Sequence, residues 1–247
     1  MKLEITKVEG IVISESNYKE TSKLINILTK EYGIVGILAK GSKNIKNKNR
    51  IFTSKLTHAN YQIYYRPNKL STLICADLID SFSNTKQDLT KISYSCFLLE
   101  LTSQVVKNNN DKNIFDILLN SLIKIENGYD PSIITNIAEL KYLDFLGIKP
   151  ILNSCAVCGS TNILTVSTNK GGFVCANCHT NEAIVSSKTI KLLRLLYYVD
   201  ISKISKINIS NDSKEEIDRF INEYYDKYSG LYLKSKKFLK TVKNTYI

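Results

Sequence analysis

The chain has 247 residues, of which 43% are hydrophobic, enough for one large domain or two modest ones with real cores. Its formal net charge of +11 points to an anionic partner. No apolar run reaches the roughly eighteen residues of a membrane span, and MKLEITKVEG lacks the charged start and apolar block of a signal peptide, so the expected address is cytoplasmic.

Residues 1–82 read as strands. Val8 to Ser14 is a short β-branched run, and SKLINILT (Ser22 to Thr29) places Leu24, Asn26 and Leu28 on one alternating face. Tyr32-Gly33 turns the chain into Ile34 to Lys40. Then comes AKGSKNIKNKNR, with Lys40, Lys43, Lys46, Lys48 and Arg50, no acid, and after Ala39 only Ile45 as an apolar residue. LTHANYQIYYR and LSTLICADLID follow, joined by the turn signal Pro67-Asn68. Five short strands, a closing hairpin and a basic loop after the third fit a Greek-key barrel of the OB type. A sandwich or an SH3-like barrel has the same periodicity.

From Asn84 the period becomes helical, with Leu89, Ile92, Cys96, Leu99 and Val106 at helical steps. A second helix is predicted over Ile114 to Ile125, stopping at Asn127-Gly128. A third is punctuated by Asp130 as N-cap, Pro131, Gly147 and Pro150. Ser186 or Ser187 caps a helix through Tyr198. Ser213 and Glu216 form a capping-box pattern for a helix with Ile217, Phe220, Ile221 and Tyr224 on its core face. A basic helix follows Ser235. The expected fold is α+β, with an OB domain over 1–82 and a helical domain over 83–247.

Cys75 and Cys96, set among apolar residues, read as small core residues. The other four cysteines form two pairs, CAVC (Cys155, Cys158) and CANC (Cys175, Cys178). Two such knuckles supply four thiolates for a tetrahedral Zn²⁺, the first turning on Gly159. The intervening TNILTVSTNKGGFV reads as a hairpin, giving a zinc ribbon at about 153–182. Four cysteines close the shell and no Glu-His pattern offers a general base, so one structural zinc is expected. His179, adjacent to Cys178, is not expected to share the ion. His58 reads as a satisfied strand residue, and nothing else suggests an enzyme. The basic residues, 30 Lys against 4 Arg, cluster without acids in Lys40 to Arg50 and after Asp226.

Four blocks in order resemble the RecO family of bacterial recombination and repair proteins: NYKETSKLINILTKEYGIVGILAKGSK (Asn17 to Lys43), ELKYLDFLGIKPILNSCAVCG (Glu139 to Gly159), GGFVCANC (Gly171 to Cys178) and LYLKSKKFL (Leu231 to Leu239). The resemblance implies an N-terminal OB fold, a helical domain with a zinc module, and no enzymatic activity. It implies binding to single- and double-stranded DNA and annealing of complementary strands. It also implies partnership with RecR, contact with the tail of the single-stranded DNA-binding protein, and help in loading RecA. Two departures stand out: Lys19 occupies a place where the family often has Gly, and the basic loop uses Lys where Arg is common.

On an OB barrel the loops and the barrel face combine positive charge with aromatic stacking. The expected DNA contacts are therefore Lys19, Lys40, Lys43, Lys46, Lys48 and Arg50, with Tyr18 beside Lys19. Of Tyr61, Tyr64 and Tyr65 at least one should face the core, and the others are stacking candidates, Tyr64 among them. Lys234, Lys236, Lys237 and Lys240 make a second basic surface for DNA or an acidic protein tail. The competing readings are an RNA- or tRNA-binding OB protein and an adaptor for acidic tails.

Overall fold

A computed structural model describes residues 4–107, 109 and 111–246, with the backbone alone at 240 and 243–246. Strands β1 (Glu4–Tyr18), β2 (Ser22–Thr29), β3 (Gly33–Ala39), β4 (His58–Tyr65) and β5 (Ser71–Asp80) close into a barrel in the order β1-β2-β3-β5-β4. All its ladders are antiparallel except β3–β5, which pairs Ile37 with Ser71 and Leu38 with Thr72 in parallel. That order is the OB topology.

Ile25, Ile27, Val35, Ile37, Ala59, Tyr61 and Ile63 fill the barrel. The face expected from Leu24 and Asn26 is the outer one, since Ile25 and Ile27 are buried and Asn26 is exposed. Aliphatics on both faces of β2 hide which side is inward, because a period of two carries no sign. Tyr61 is the inward tyrosine, with its hydroxyl donating to the Phe52 carbonyl at 3.0 Å. Cys75 is not a core residue: it is exposed, and its thiol donates to Gln62 Oε1 at 3.1 Å. A bulge between Gln62 and Ile63 sends Leu73 and Ala76 inward and leaves Cys75 outside. Cys96 is half-buried. His58 is buried as expected, its Nε2 2.8 Å from Glu9 Oε1.

The described helices are α1 (Ser83–Gln87), α2 (Leu89–Val106), α3 (Lys112–Glu126), α4 (Pro131–Phe145), α5 (Ser187–Tyr198), α6 (Asn211–Tyr228) and α7 (Lys234–Tyr246). A hairpin of β6 (Ile163–Ser167) and β7 (Gly172–Cys175) lies between α4 and α5 in sequence. The chain forms two compact units. One holds the barrel, α1–α3 and the residues from Leu233 onward; the other is Gly128–Tyr232. Secondary structure changes from strand to helix at Ser83, whereas the compact units part after Asn127.

Three glutamates cap helices other than their own. Glu126 of α3 accepts from the Asn84 and Thr85 amides at 2.9 and 2.8 Å and from the Thr85 hydroxyl, closing the start of α1. Glu100 of α2 takes the Lys234 and Ser235 amides, at 3.0 and 2.8 Å, and the Ser235 hydroxyl at the start of α7. Glu216, expected to cap its own helix, instead accepts from Ser186 N and the Thr189 hydroxyl at the start of α5. α6 opens one turn early, after Ser210, so Ser213 lies inside the helix and is buried. Each carboxylate satisfies first-turn N–H groups that have no partner within their helix.

Burial alone would raise the Glu100 pKa, but the bonds from Ser235 and Lys234 outweigh it and hold it below the ordinary carboxylate value. The stability carried by ionised Glu100 is thus present at neutral pH and lost as pH falls through that depressed value. Glu100→Gln should cost about 1 kcal/mol, as other caps do. Amide exchange in 235–239 would rise about fivefold while the barrel stays unchanged. Unaltered exchange there would show that the carboxylate does not hold α7.

Candidate functional site

The segment from Lys40 to Thr57 is fixed by its uncharged residues. Gly41 stands at φ +66°, where the handedness of L residues is unfavourable, and its amide donates to Ser22 Oγ at 3.3 Å. Ser42 is fully buried and donates to the Ala39 carbonyl. The Lys43 amide donates to the Thr21 carbonyl at 2.8 Å, tying the segment to the β1–β2 turn. Asn47 caps a 3-10 helix, Lys48–Thr53, by accepting from Asn49 N at 2.8 Å, and Asn49 donates to the Ile74 carbonyl on β5. Phe52 packs against the barrel core. Of the basic residues along this segment, Lys40, Lys46, Lys48 and Arg50 are exposed and Lys43 is half-buried.

Lys19 sits in the β1–β2 turn at φ +51°. This left-handed conformation suits glycine, and Lys19 holds it at a cost of about 1 kcal/mol. Its ammonium lies 5.6 Å from the Tyr18 ring centroid, and Tyr18 is exposed. The structure thus brings Tyr18, Lys19, Lys40 and Lys43 to neighbouring turns. The ladders set Leu24, Leu38, Thr72 and Tyr64 in one row across β2, β3, β5 and β4. Tyr64 is therefore two strands from Leu38, about 10 Å at the usual strand spacing. Tyr65 is half-buried against Tyr32, with ring centroids 4.6 Å apart. Lys46, Lys48 and Arg50 line a separate cleft together with Lys86 of α1. Lys86 was not a candidate from the sequence, because nothing local to α1 marks it.

Lys234 and Lys237 are exposed on α7 and Lys236 is half-buried, while Leu233, Leu239 and Val242 are buried. The Lys240 side chain lies outside the described residues.

In the second unit, the sulfurs of Cys155, Cys158, Cys175 and Cys178 all lie within 4.8 Å of one another. The Gly159 amide donates to the Cys155 carbonyl at 2.9 Å, which forms the first knuckle, and Ala156 N donates to the Phe173 carbonyl at 2.7 Å, which seats it on β7. A Cβ at Gly172 would lie 2.1 Å from the Ile151 carbonyl oxygen, so only glycine lets the hairpin approach this closely. Burial would raise the Cys155 thiol, but N–H groups of Cys158, Cys175 and Val157 outweigh it and bring its pKa down to about 6. Hydrogen bonds with Cys158 and Cys175, then burial and the charge of Cys155, push Cys178 up to about 12. Four crowded thiols cannot all ionise by themselves; a thiophilic divalent cation permits it, and the donor set fits such an ion. The His179 ring bonds the Glu182 carbonyl at 2.9 Å and is not part of the cluster.

A closed OB barrel, a helical region and a four-cysteine cluster able to hold a metal ion define an α+β protein of the OB-barrel class. The model for Recombination protein O N terminal matches residues 1–82, and that for Recombination protein O C terminal matches 86–237. DNA repair protein RecO of Listeria innocua is 34% identical over 239 residues, covering 95% of this chain and 93% of that protein. The RecO proteins of Bacillus velezensis and Bacillus subtilis are 34% and 32% identical over 240 residues, each covering 95% of this chain and 94% of the relative. The chain belongs to the RecO family, and that membership supports a role in DNA repair and recombination. No described helix is long and apolar enough to cross a membrane.

Proposed function

We propose that this protein is a recombination mediator without enzymatic activity, which binds single- and double-stranded DNA and anneals complementary strands. The observation that carries the reading is the loop with Lys40, Lys43, Lys46, Lys48 and Arg50, anchored by neutral residues and, among the described residues, presenting cations without ion-pair partners. A loop whose backbone is already fixed has little backbone entropy left to lose on meeting phosphates, and Tyr18 and Tyr64 offer exposed stacking faces on the same barrel. The metal is Zn²⁺, one per chain, with an architectural role. The partners are RecR and the tail of the single-stranded DNA-binding protein, and the outcome is RecA loading on coated DNA at the nucleoid.

A cleft of about 270 Å³ in the second unit, lined by Ile133, Ile134, Ile204, Lys206 and Ile207, with its acid Asp130 already paired to Lys214, supports docking of that acidic, apolar tail. The basic face of α7 is a further surface for DNA or for the tail. The deciding experiment is annealing of complementary oligonucleotides by the purified protein, with no nucleotide or metal added. Annealing well above the spontaneous rate is expected. A preference for structured RNA over single-stranded DNA would favour an RNA-binding role, and the absence of any mobility shift at low salt would favour an adaptor.

A further inference from the structure

The cleft lined by Lys46, Lys48, Arg50 and Lys86 has a volume of about 500 Å³ and no carboxylate in its lining. Among the described residues none of these four cations forms an ion pair. Lys86 is half-buried, and desolvation lowers its pKa while Glu15, Asp80 and Glu126 draw it back up. Those acids are already engaged: Glu15 with Lys23 and the Lys55 amide, Asp80 with the Phe82 amide, and Glu126 with the start of α1.

A second, independent feature marks the same place. Thr57 lines the cleft, is 1% exposed, and its Oγ1 has no hydrogen-bond partner. Buried hydroxyls are nearly always paired, so an orphan beside unpaired cations points to an absent acceptor. At the mouth stand Ile45 and Ile51, 85% and 62% exposed. The volume equals roughly seventeen waters at about 30 Å³ each, too roomy for a bare phosphate and within the range that takes a small ligand.

We infer that this cleft is a nucleotide pocket, in which one phosphate lies among Arg50, Lys86 and Thr57 while its sugar and base rest on Ile45 and Ile51. The inference rests on the DNA-binding reading and adds to it a defined seat for a single nucleotide, with a lysine from α1 as a positioning cation. The nucleotide is either one residue of a bound strand or a free nucleoside phosphate.

The test uses the full chain, an oligothymidylate probe in a salt series, thymidine monophosphate and inorganic phosphate. Lys86→Gln should bind the oligomer about tenfold more weakly, as loss of a charged hydrogen bond does, with a log–log salt slope shallower by about 0.7. Thr57→Val should bind about threefold more weakly yet melt no lower than wild type, because it removes an unpartnered buried hydroxyl. Thymidine monophosphate should shift the amide resonances of residues 81–86 in the wild type and not in Lys86→Gln. Wild-type affinity and slope in both variants, while the parent still binds DNA, would overturn the pocket and leave the functional reading standing. If the parent binds no DNA, that reading has failed, and the monophosphate shifts alone support or overturn the pocket. Equal shifts with inorganic phosphate would overturn the assignment to a nucleotide.

Discussion

Cys175→Ser should lower the melting temperature by roughly 10 °C or more. Structural zinc contributes on the order of 10 kcal/mol to apparent folding free energy in isolated fingers, and loss of one of four ligands forfeits a large part of it. With about 2–4 °C per kcal/mol for a chain of this size, a loss near 5 kcal/mol gives the stated shift. The backbone amide of residue 175, which donates to the Cys155 sulfur at 3.4 Å, remains in the variant, so the loss is that of the fourth thiolate. Chelation of the wild type should reproduce the effect and added zinc should reverse it. DNA affinity should largely survive, since the basic loop belongs to the other compact unit. Metal analysis of protein prepared without chelator must find about one zinc per chain; finding none would end the ribbon interpretation.

The other large effect concerns charge. If Lys40, Lys43, Lys46, Lys48 and Arg50 each neutralise one phosphate of a single strand, the log–log salt slope should be about −3.5. Lys43→Ala, Lys46→Ala and Lys48→Ala together should flatten it by about two units, and weaken binding about a hundredfold at 0.1 M salt. All sequences should suffer alike, because phosphate contacts carry no base code. Annealing should fall in parallel. The melting temperature should hardly move, since Ser42, Asn47 and Asn49 remain, and the anchor at residue 43 is a backbone N–H. The loop hypothesis would be falsified if the triple variant kept the parental slope and annealing rate.

Much of the architecture is legible in the sequence alone, for local reasons. The knuckles declare themselves by spacing, and the start of α4 by Asp130 and Pro131, because those signals lie within a few residues of what they specify. The inward face of β2, the exposure of Cys75 and the true partner of Glu216 were not readable. Each depends on a bulge or on a helix distant in sequence. Lys86 is unmarked in the sequence for the same reason: only the path from β5 into α1 carries it to the loop, 36 residues after Arg50 in number. The loop itself was legible as charge and illegible as structure. Its asparagines and serines look like solvated filler in sequence, yet they are what fasten it.

The return of α7 to the unit that contains the barrel has a consequence for synthesis. α2 emerges from the ribosome long before the helix that covers it, because all of 128–232 must be translated in between. At about 5–20 residues per second, that delay is roughly five to twenty seconds. Throughout it the nascent chain carries a folded barrel and a bare helical flank, a target for trigger-type chaperones and for premature association with other nascent chains. A nonsense mutation just before Leu233 would therefore harm the unit that holds the barrel, although every residue of the barrel itself had already been made.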